Sequence, residues 1–140
     1  TFGGNPVSIA AALATIDILQ REGIANAGEV GAKMLDRLEG WKKTHPLVGD
    51  VRGRGLMIGI ELVKDKQTRE PATALRNRIE TLAFERGLMI LGCGETSIRL
   101  CPPLLLKEEE ATVGLDILED VLTQVEKEFA EASQQAVATV

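Results

Sequence analysis

Residues 49–62 read GDVRGRGLMIGIEL, and this stretch decides the fold. In its second half, apolar residues occupy every second position: Leu56, Ile58, Ile60 and Leu62, with Met57, Gly59 and Glu61 between them. Alternation with a period of two is typical of a strand that has one buried face. We therefore predict strands over residues 48–51 and 56–63, joined by a tight turn at Arg52-Gly53-Arg54-Gly55, where the glycines allow positive φ.

Helices and two shorter strands lie on either side of this predicted hairpin. Helices are expected over residues 7–21, 24–44, 72–86 and 107–129, and strands over residues 88–91 and 97–101. Asn5 reads as the N-cap of the first helix, Pro6 as its first residue, and Gly87 as the end of the third. In the last helix one apolar stripe recurs at helical spacing: Ala111, Leu115, Leu118, Leu122, Val125 and Phe129. The pattern indicates an α+β domain with helices on one side of a small, largely antiparallel sheet, preceded by a connecting helix.

The first predicted helix has almost no polar face. Apolar residues and alanines dominate from Val7 to Leu19, whereas a surface helix normally carries a polar side. We therefore expect partners outside this chain to cover it. The chain also opens at Thr1 without an initiator methionine, so we expect it to be part of a larger protein.

Composition limits the classes of function. The chain has 140 residues, 44% of them hydrophobic, and this length and composition suit one domain. Its formal net charge is -5. Acidic and basic residues are interspersed, so no basic stripe is available for nucleic acid, and no apolar run approaches the roughly 20 residues of a membrane span. Cys93 and Cys101 fit no metal-ligand spacing and are expected to be reduced thiols of a cytoplasmic protein.

The opening turn, Thr1-Phe2-Gly3-Gly4-Asn5-Pro6, is a candidate phosphate site. A helix N-terminus presents unpaired backbone N–H groups and a partial positive charge, and glycines let an anion approach closely. Thr1 adds a hydroxyl donor. A loop that merely needs glycine conformations before a capped helix explains the same residues, and the pattern alone favours that explanation.

Arg99 is a candidate carboxylate-binding residue. It lies mid-strand between two apolar residues, and its guanidinium matches a substrate carboxylate in geometry. A structural salt bridge is the alternative, because most isolated arginines are structural or solvated. At Arg52-Gly53-Arg54-Gly55 a hairpin turn is favoured over anion binding, and His45, with no metal-ligating neighbour, is expected to cap a helix or lie at the surface.

Four segments together resemble the C-terminal end of class III aminotransferases. They are Thr1 to Pro6, residues 49–62, Arg86-Gly87-Leu88, and Ile98-Arg99-Leu100-Cys101-Pro102-Pro103-Leu104, in the family's order and spacing. Leu91-Gly92-Cys93-Gly94 is most similar to the 4-aminobutyrate aminotransferase branch. The resemblance implies the small C-terminal domain of a fold-type-I enzyme that uses pyridoxal 5'-phosphate (PLP).

The same resemblance implies roles for particular residues. Thr1 matches the threonine that donates to the PLP phosphate of the neighbouring subunit in a homodimer. Arg99 matches the arginine that binds the α-carboxylate of glutamate or 2-oxoglutarate. It divides the chain into residues 1–23, a phosphate-contacting turn and interdomain helix; residues 24–131, the small domain; and residues 132–140, a tail expected to fray.

The family's catalytic lysine and aspartate lie upstream, in a large N-terminal domain absent from this chain, and no lysine here matches. We therefore expect no catalytic residue and no metal ligand in this chain, and no activity from the chain alone. The expected reaction of the parent enzyme moves an amino group from an omega-amino acid such as 4-aminobutyrate to 2-oxoglutarate. Three alternatives stay open: ornithine or acetylornithine aminotransferase, an amino-acid racemase, or a non-enzymatic α+β interaction module.

Overall fold

A computed structural model describes the backbone of residues 3–138 and the side chains of residues 3–135. The described helices are α1 (Pro6–Ile18), a π-helical segment (Leu19–Gly23), α2 (Ile24–Thr44), α3 (Thr73–Glu85) and α4 (Glu108–Ala138). The described strands are β1 (Val48–Arg54), β2 (Met57–Leu62), β3 (Leu91–Cys93) and β4 (Ser97–Leu100). The helices and strands were thus predicted in the correct order.

The strands form one antiparallel sheet in the order β1-β2-β4-β3. Alternation sets its two faces. Val51, Ile58 and Ile98 are buried on the face that meets the helices, while Arg52 and Arg99 are exposed on the other. The predicted α+β architecture, with helices on one side of a largely antiparallel sheet, is confirmed.

The predicted turn at Arg52-Gly53-Arg54-Gly55 is wrong in extent. Strand β1 continues through Arg54, which pairs with Met57, so Gly55 and Leu56 alone make the turn. A two-residue hairpin loop of this kind requires positive φ, and Gly55 has a φ of 57°. The sequence prediction failed because it assigned both Gly53 and Gly55 to the turn, whereas Gly53 lies in the strand opposite Ile58.

The third strand is also shifted from its predicted position at residues 88–91. It covers Leu91–Cys93 because pairing with β4 places Leu91 opposite Arg99 and Cys93 opposite Ser97. The apolar residues before it belong to the core instead, with Ile90 buried and Leu88 packed against the cluster. Long-range register, which a short apolar run does not encode, decided this boundary.

The helices predicted over residues 7–21 and 24–44 are not separated by a break. The chain passes from α1 into α2 through the π-helical turn Leu19–Gly23. Gly23 is buried, and a Cβ added to it would lie 3.2 Å from Leu19 and 3.8 Å from Leu104. Glycine therefore serves here for close packing inside a continuous helical segment, and π turns of this kind are often found near functional sites.

One hydrophobic core lies between the sheet and helices α2, α3 and α4. Its largest fully buried side chains include Leu38, Leu47, Ile58, Ile60, Leu62, Ile79, Ile98 and Val121. The predicted stripe of α4 is confirmed, with Phe129 partly buried at its end. Helix α4 continues to Ala138, beyond its predicted end at residue 129.

Helix α1 stands apart from this core. In the described structure none of its residues is buried, and Val7 is 78% and Leu13 63% exposed. The described residues thus leave this apolar helix uncovered, and its cover by partners outside the chain stays a prediction. Within residues 3–138 no helix is long and apolar enough to cross a membrane, and the same residues hold no group of side chains suited to a metal ion.

Candidate functional site

The exposed face of the sheet carries a row of residues that spans all four strands. Strand pairing aligns Arg52 of β1 with Gly59 of β2, Gly59 with Arg99 of β4, and Arg99 with Leu91 of β3. Antiparallel neighbours directly opposite each other lie on the same face, about 4.5–5.5 Å apart. The row therefore holds two guanidinium groups on either side of a glycine.

Arg99 is exposed and forms no hydrogen bond or ion pair with any side chain that the structure describes. The structural salt bridge weighed as its alternative thus has no partner among residues 3–135. A guanidinium offers five N–H donors in a planar fork that a carboxylate matches with two parallel bonds. Arg99 can bind such an anion without first losing an internal partner.

Arg52, in contrast, is already neutralised. Its Nη1 donates to Glu61 at 2.8 Å and to Asp50 at 3.1 Å. Glu61 also accepts from Arg69 at 3.0 Å, and the hydrogen bonds from Arg52 and then Arg69 hold the pKa of the Glu61 carboxyl below its usual value. Arg52 is therefore part of a surface network that fixes β1 to β2, and its role is structural.

Gly59 keeps the space between the two arginines open. A Cβ added there would have only ordinary contacts with Arg52, at 3.8 and 3.9 Å. A depression of about 520 Å³ lies over this part of the sheet and is bordered by Arg52, Arg54 and Arg99 together with Cys93. A small organic anion therefore has room above Gly59 beside the guanidinium of Arg99.

Arg99 also borders a second, apolar cavity of about 270 Å³ between β3 and α4. Arg99 and Glu110 are the charged residues among those that line it. The loop that follows β4 closes one end, and Asn26 holds this loop by donating to the carbonyls of Leu104 and Leu106 at 2.8 and 3.0 Å. Arg99 thus lies where a polar face and an apolar cavity meet.

Thr1, the predicted phosphate ligand, lies outside the described residues. Of the donors expected at the start of α1, the N–H groups of Val7 and Ser8 are taken by the side chain of Asn5, at 2.9 and 3.2 Å. Pro6 has no N–H to give. The helix N-terminus itself therefore offers fewer free donors than the general pattern, because the N-cap accepts from two of them. What remains open is the turn before it, where Gly4 has a φ of 80° and no described residue lies within 4 Å of a Cβ added to either glycine.

His45 takes the capping role that was expected, although it is not at the surface. It is the C-cap residue of α2 and is buried, 7% exposed. Its Nδ1 lies 2.9 Å from Glu126, which also accepts from the backbone N–H of Leu47. These contacts join α2 to α4, far from the exposed sheet face, and are structural.

One known protein family matches most of this chain. Residues 1–122 match the family model described as aminotransferase class-III. The chain belongs to the class III aminotransferases. The match covers most of the chain, including the sheet that carries Arg99 and the glycine turn before α1.

Two curated relatives of this class III chain differ in their named activity. The 4-aminobutyrate aminotransferase of Mycobacterium leprae (strain TN) is 46% identical over 125 residues, which are 87% of this chain and 28% of the relative. The isoleucine 2-epimerase of Lentilactobacillus buchneri is 39% identical over 127 residues, 90% of this chain and 28% of the relative. The chain therefore spans little more than a quarter of the length of these relatives.

A solved transaminase structure has the same fold over most of this chain. An amine transaminase from an uncultivated Pseudomonas species, in its PLP-bound form, superposes with a TM-score of 0.82 at 39% identity, over 89% of this chain and 29% of the other. The resemblance to the small domain of a fold-type-I PLP aminotransferase is thereby confirmed.

Sequence reasoning missed two features of the site in this class III domain. The first is Gly59, which was counted only as a position between buried residues. The second is Arg54, which is exposed on the same face as Arg99 once β1 is extended. Correct strand register would have revealed both, since it places residues 52, 54, 59 and 99 on one face.

Proposed function

We propose that this chain is the small domain of a PLP-dependent transaminase and supplies Arg99 to bind the carboxylate of its 2-oxo acid substrate. The observation that carries the proposal is the exposed guanidinium without an acidic partner in the described structure, placed over open space beside Gly59. A charge-assisted, bidentate contact to a carboxylate is among the stronger polar interactions. The proposed acceptor is 2-oxoglutarate and the proposed donor an omega-amino acid such as 4-aminobutyrate.

PLP would reach this chain only at the opening turn. Thr1 is the proposed phosphate donor, and the uncovered turn at Gly3 and Gly4 leaves backbone accessible to an anion. Because Asn5 occupies the first N–H groups of α1, we assign the contact to the turn and not to the helix end. When bound, PLP supplies the electron-accepting ring that transamination requires.

The remaining walls of the site would come from elsewhere. We propose that residues 1–23 form the phosphate-contacting turn and interdomain helix, residues 24–131 the small domain, and residues 132–140 a tail that begins as the last turns of α4. The exposed apolar side of α1 supports cover by a large N-terminal domain and by a second subunit of a homodimer, since contiguous apolar surface marks interaction sites. The lysine that would react with PLP has no counterpart in this chain, so we propose that the chain alone is inactive. A cytoplasmic location stays a prediction that rests on the two free cysteines.

A racemase or epimerase is the second candidate, because the isoleucine 2-epimerase shares the same part of the fold. A racemase needs no separate amino acceptor, whereas a transaminase cannot turn over without one. The non-enzymatic interaction module is disfavoured by the exposed apolar helix α1, which suits association with a further domain.

Amino transfer by the intact enzyme tests the proposal. The full-length protein, incubated with 4-aminobutyrate and 2-oxoglutarate, should form glutamate, and the 140-residue chain should form none. Inversion of an amino acid without any acceptor would favour the racemase. Glutamate formation by the chain alone would refute its proposed inactivity. In the full-length protein, Thr1→Ala should weaken PLP retention, measured by the cofactor's absorbance after dialysis.

A further inference from the structure

Arg76 of α3 lies directly beneath β3, the strand that pairs with β4. Its side chain is 14% exposed. A Cβ added to Gly92, in the middle of β3, would lie 2.6 Å from Cζ of Arg76 and 3.1 Å from Glu80. The guanidinium therefore fills the volume that a side chain at position 92 would take on the inner face of the sheet.

This guanidinium is poorly paired for a group that is largely buried. Its Nη1 is 3.8 Å from Glu80, and its Nη2 reaches the carbonyl of Glu95 only at 3.5 Å. Nε is buried and has no hydrogen-bond partner in the described structure. Burying a charge with weak partners costs stability, so the fold retains Arg76 at a cost.

Arg76 contacts the β3–β4 hairpin, and strand β4 of this hairpin carries Arg99. Gly92 pairs with Ile98, and the next pair along the ladder is Leu91 with Arg99. Glu95 lies in the turn of the same hairpin. Strand β3 has three residues and lies at the edge of the sheet, with β4 on one side only. Short edge strands are held weakly by backbone pairing alone, so a side chain packed under Gly92 restrains this one.

We propose that Arg76 is a positioning residue for Arg99: by packing its guanidinium under Gly92 and reaching the turn at Glu95, it fixes the β3–β4 hairpin and so the direction of the Arg99 side chain. This inference rests on the proposed carboxylate-binding role of Arg99. Without Arg76, the edge strand shifts toward the space left beneath it. Arg99, directly opposite Leu91, then meets the substrate carboxylate at a poorer angle.

The test uses Arg76→Met in the intact enzyme, which keeps an unbranched apolar stem and removes the guanidinium. Two acceptors are compared: 2-oxoglutarate and an aldehyde that lacks a carboxylate. We expect the KM for 2-oxoglutarate to rise about tenfold, within the range that a displacement of about 1 Å produces, with kcat and the KM for the aldehyde nearly unchanged. Arg78→Met is the matched control, because Arg78 lies on the same helix and pairs with Glu128, away from β3.

Each outcome decides the inference. An unchanged KM for 2-oxoglutarate in Arg76→Met, or an equal loss with both acceptors, would overturn it. If Arg76→Met does not yield folded enzyme, Arg76→Lys takes its place, and the same selective rise in KM is required. Arg99→Ala, measured alongside, separates the two proposals: no effect there removes the proposed function itself, whereas an effect there with none at Arg76 removes only the positioning role.

Discussion

Gly31 of α2 lies against the β1–β2 turn more closely than any side chain permits. A Cβ added to Gly31 would lie 2.7 Å from the Cα of Gly55, with the carbonyl of Gly55 closer still. Gly28, three residues earlier on the same helix, has nothing within 4 Å of its added Cβ. Replacing each by alanine is the same chemical change in two different surroundings.

The two replacements should have opposite signs. In a helix, Gly→Ala gains about 0.5–1 kcal/mol because the unfolded chain loses freedom, and Gly28→Ala should gain this amount. At Gly31 the backbone of the turn would have to move by about 1 Å to restore normal contact distances of about 3.5–4.0 Å. Neighbouring Val30 and Met34 are buried against the sheet, so that movement also opens the core. Overpacking of this kind costs about 1–3 kcal/mol, and the upper end applies because the obstacle is backbone of Gly55. After the gain of about 0.5–1 kcal/mol is subtracted, we expect a net loss of about 2 kcal/mol for Gly31→Ala.

Urea unfolding of the 140-residue chain, followed by fluorescence, measures the difference. Trp41 is the only tryptophan of the chain and is 3% exposed, so it reports on the core between α2 and the sheet. With a urea dependence of about 2 kcal/mol per M, the midpoint for Gly31→Ala should fall by about 1 M and that for Gly28→Ala should rise slightly. Equal midpoints for the two variants would refute the close approach of α2 to the turn.

Three further predictions concern stability. The pKa of the Glu61 carboxyl is lowered by hydrogen bonds from Arg52 and Arg69. Its contribution to stability, about 1 kcal/mol, is therefore present above the ordinary glutamate pKa and lost as the pH falls through the lowered pKa. Glu61→Gln should flatten the decline in unfolding free energy at acid pH, and an unchanged pH profile would contradict the network. Asn26→Ala removes two hydrogen bonds to the loop after β4 and should cost about 1–3 kcal/mol, which chemical denaturation would detect; an unaltered midpoint would count against that contact. Leu38→Ala, at a position with no exposure, should cost about 2–5 kcal/mol by the same assay, and a loss below about 1 kcal/mol would argue against full burial.

Much of the fold followed from local sequence. The helical stripes of α2 and α4 and the alternation in β2 recur at the periods that their structures demand, so element type and buried face were predicted together. Glycine misled the prediction at three places. Gly53 and Gly92 lie inside strands, and Gly23 lies inside a π-helical turn. Gly92 and Gly23 are packed against residues distant in sequence, Arg76 and Leu104, whereas Gly53 is packed against its own hairpin partner Ile58.

Only part of the site could be predicted from the sequence. Arg99 was identified because a lone arginine between apolar strand residues is unusual, and its role was suggested by resemblance. Its surroundings depend on which residues share a sheet face, and this requires the order β1-β2-β4-β3, in which β4 inserts between β2 and β3. Nothing in the spacing of Arg76, Gly92 and Arg99 reveals their proximity, since it arises only when α3 packs under the edge strand.

The central claim is that the unpaired guanidinium of Arg99 binds the substrate carboxylate, and the KM for 2-oxoglutarate of the intact enzyme carrying Arg99→Ala tests it most directly. Loss of a charge-assisted pair worth about 2 kcal/mol or more should raise that KM about thirtyfold or more. The control is Arg78→Ala, which removes an arginine from an exposed pair with Glu128 on the helix side of the sheet. This control should leave the KM unchanged. An Arg99→Ala enzyme with the KM of the unaltered protein would contradict the claim.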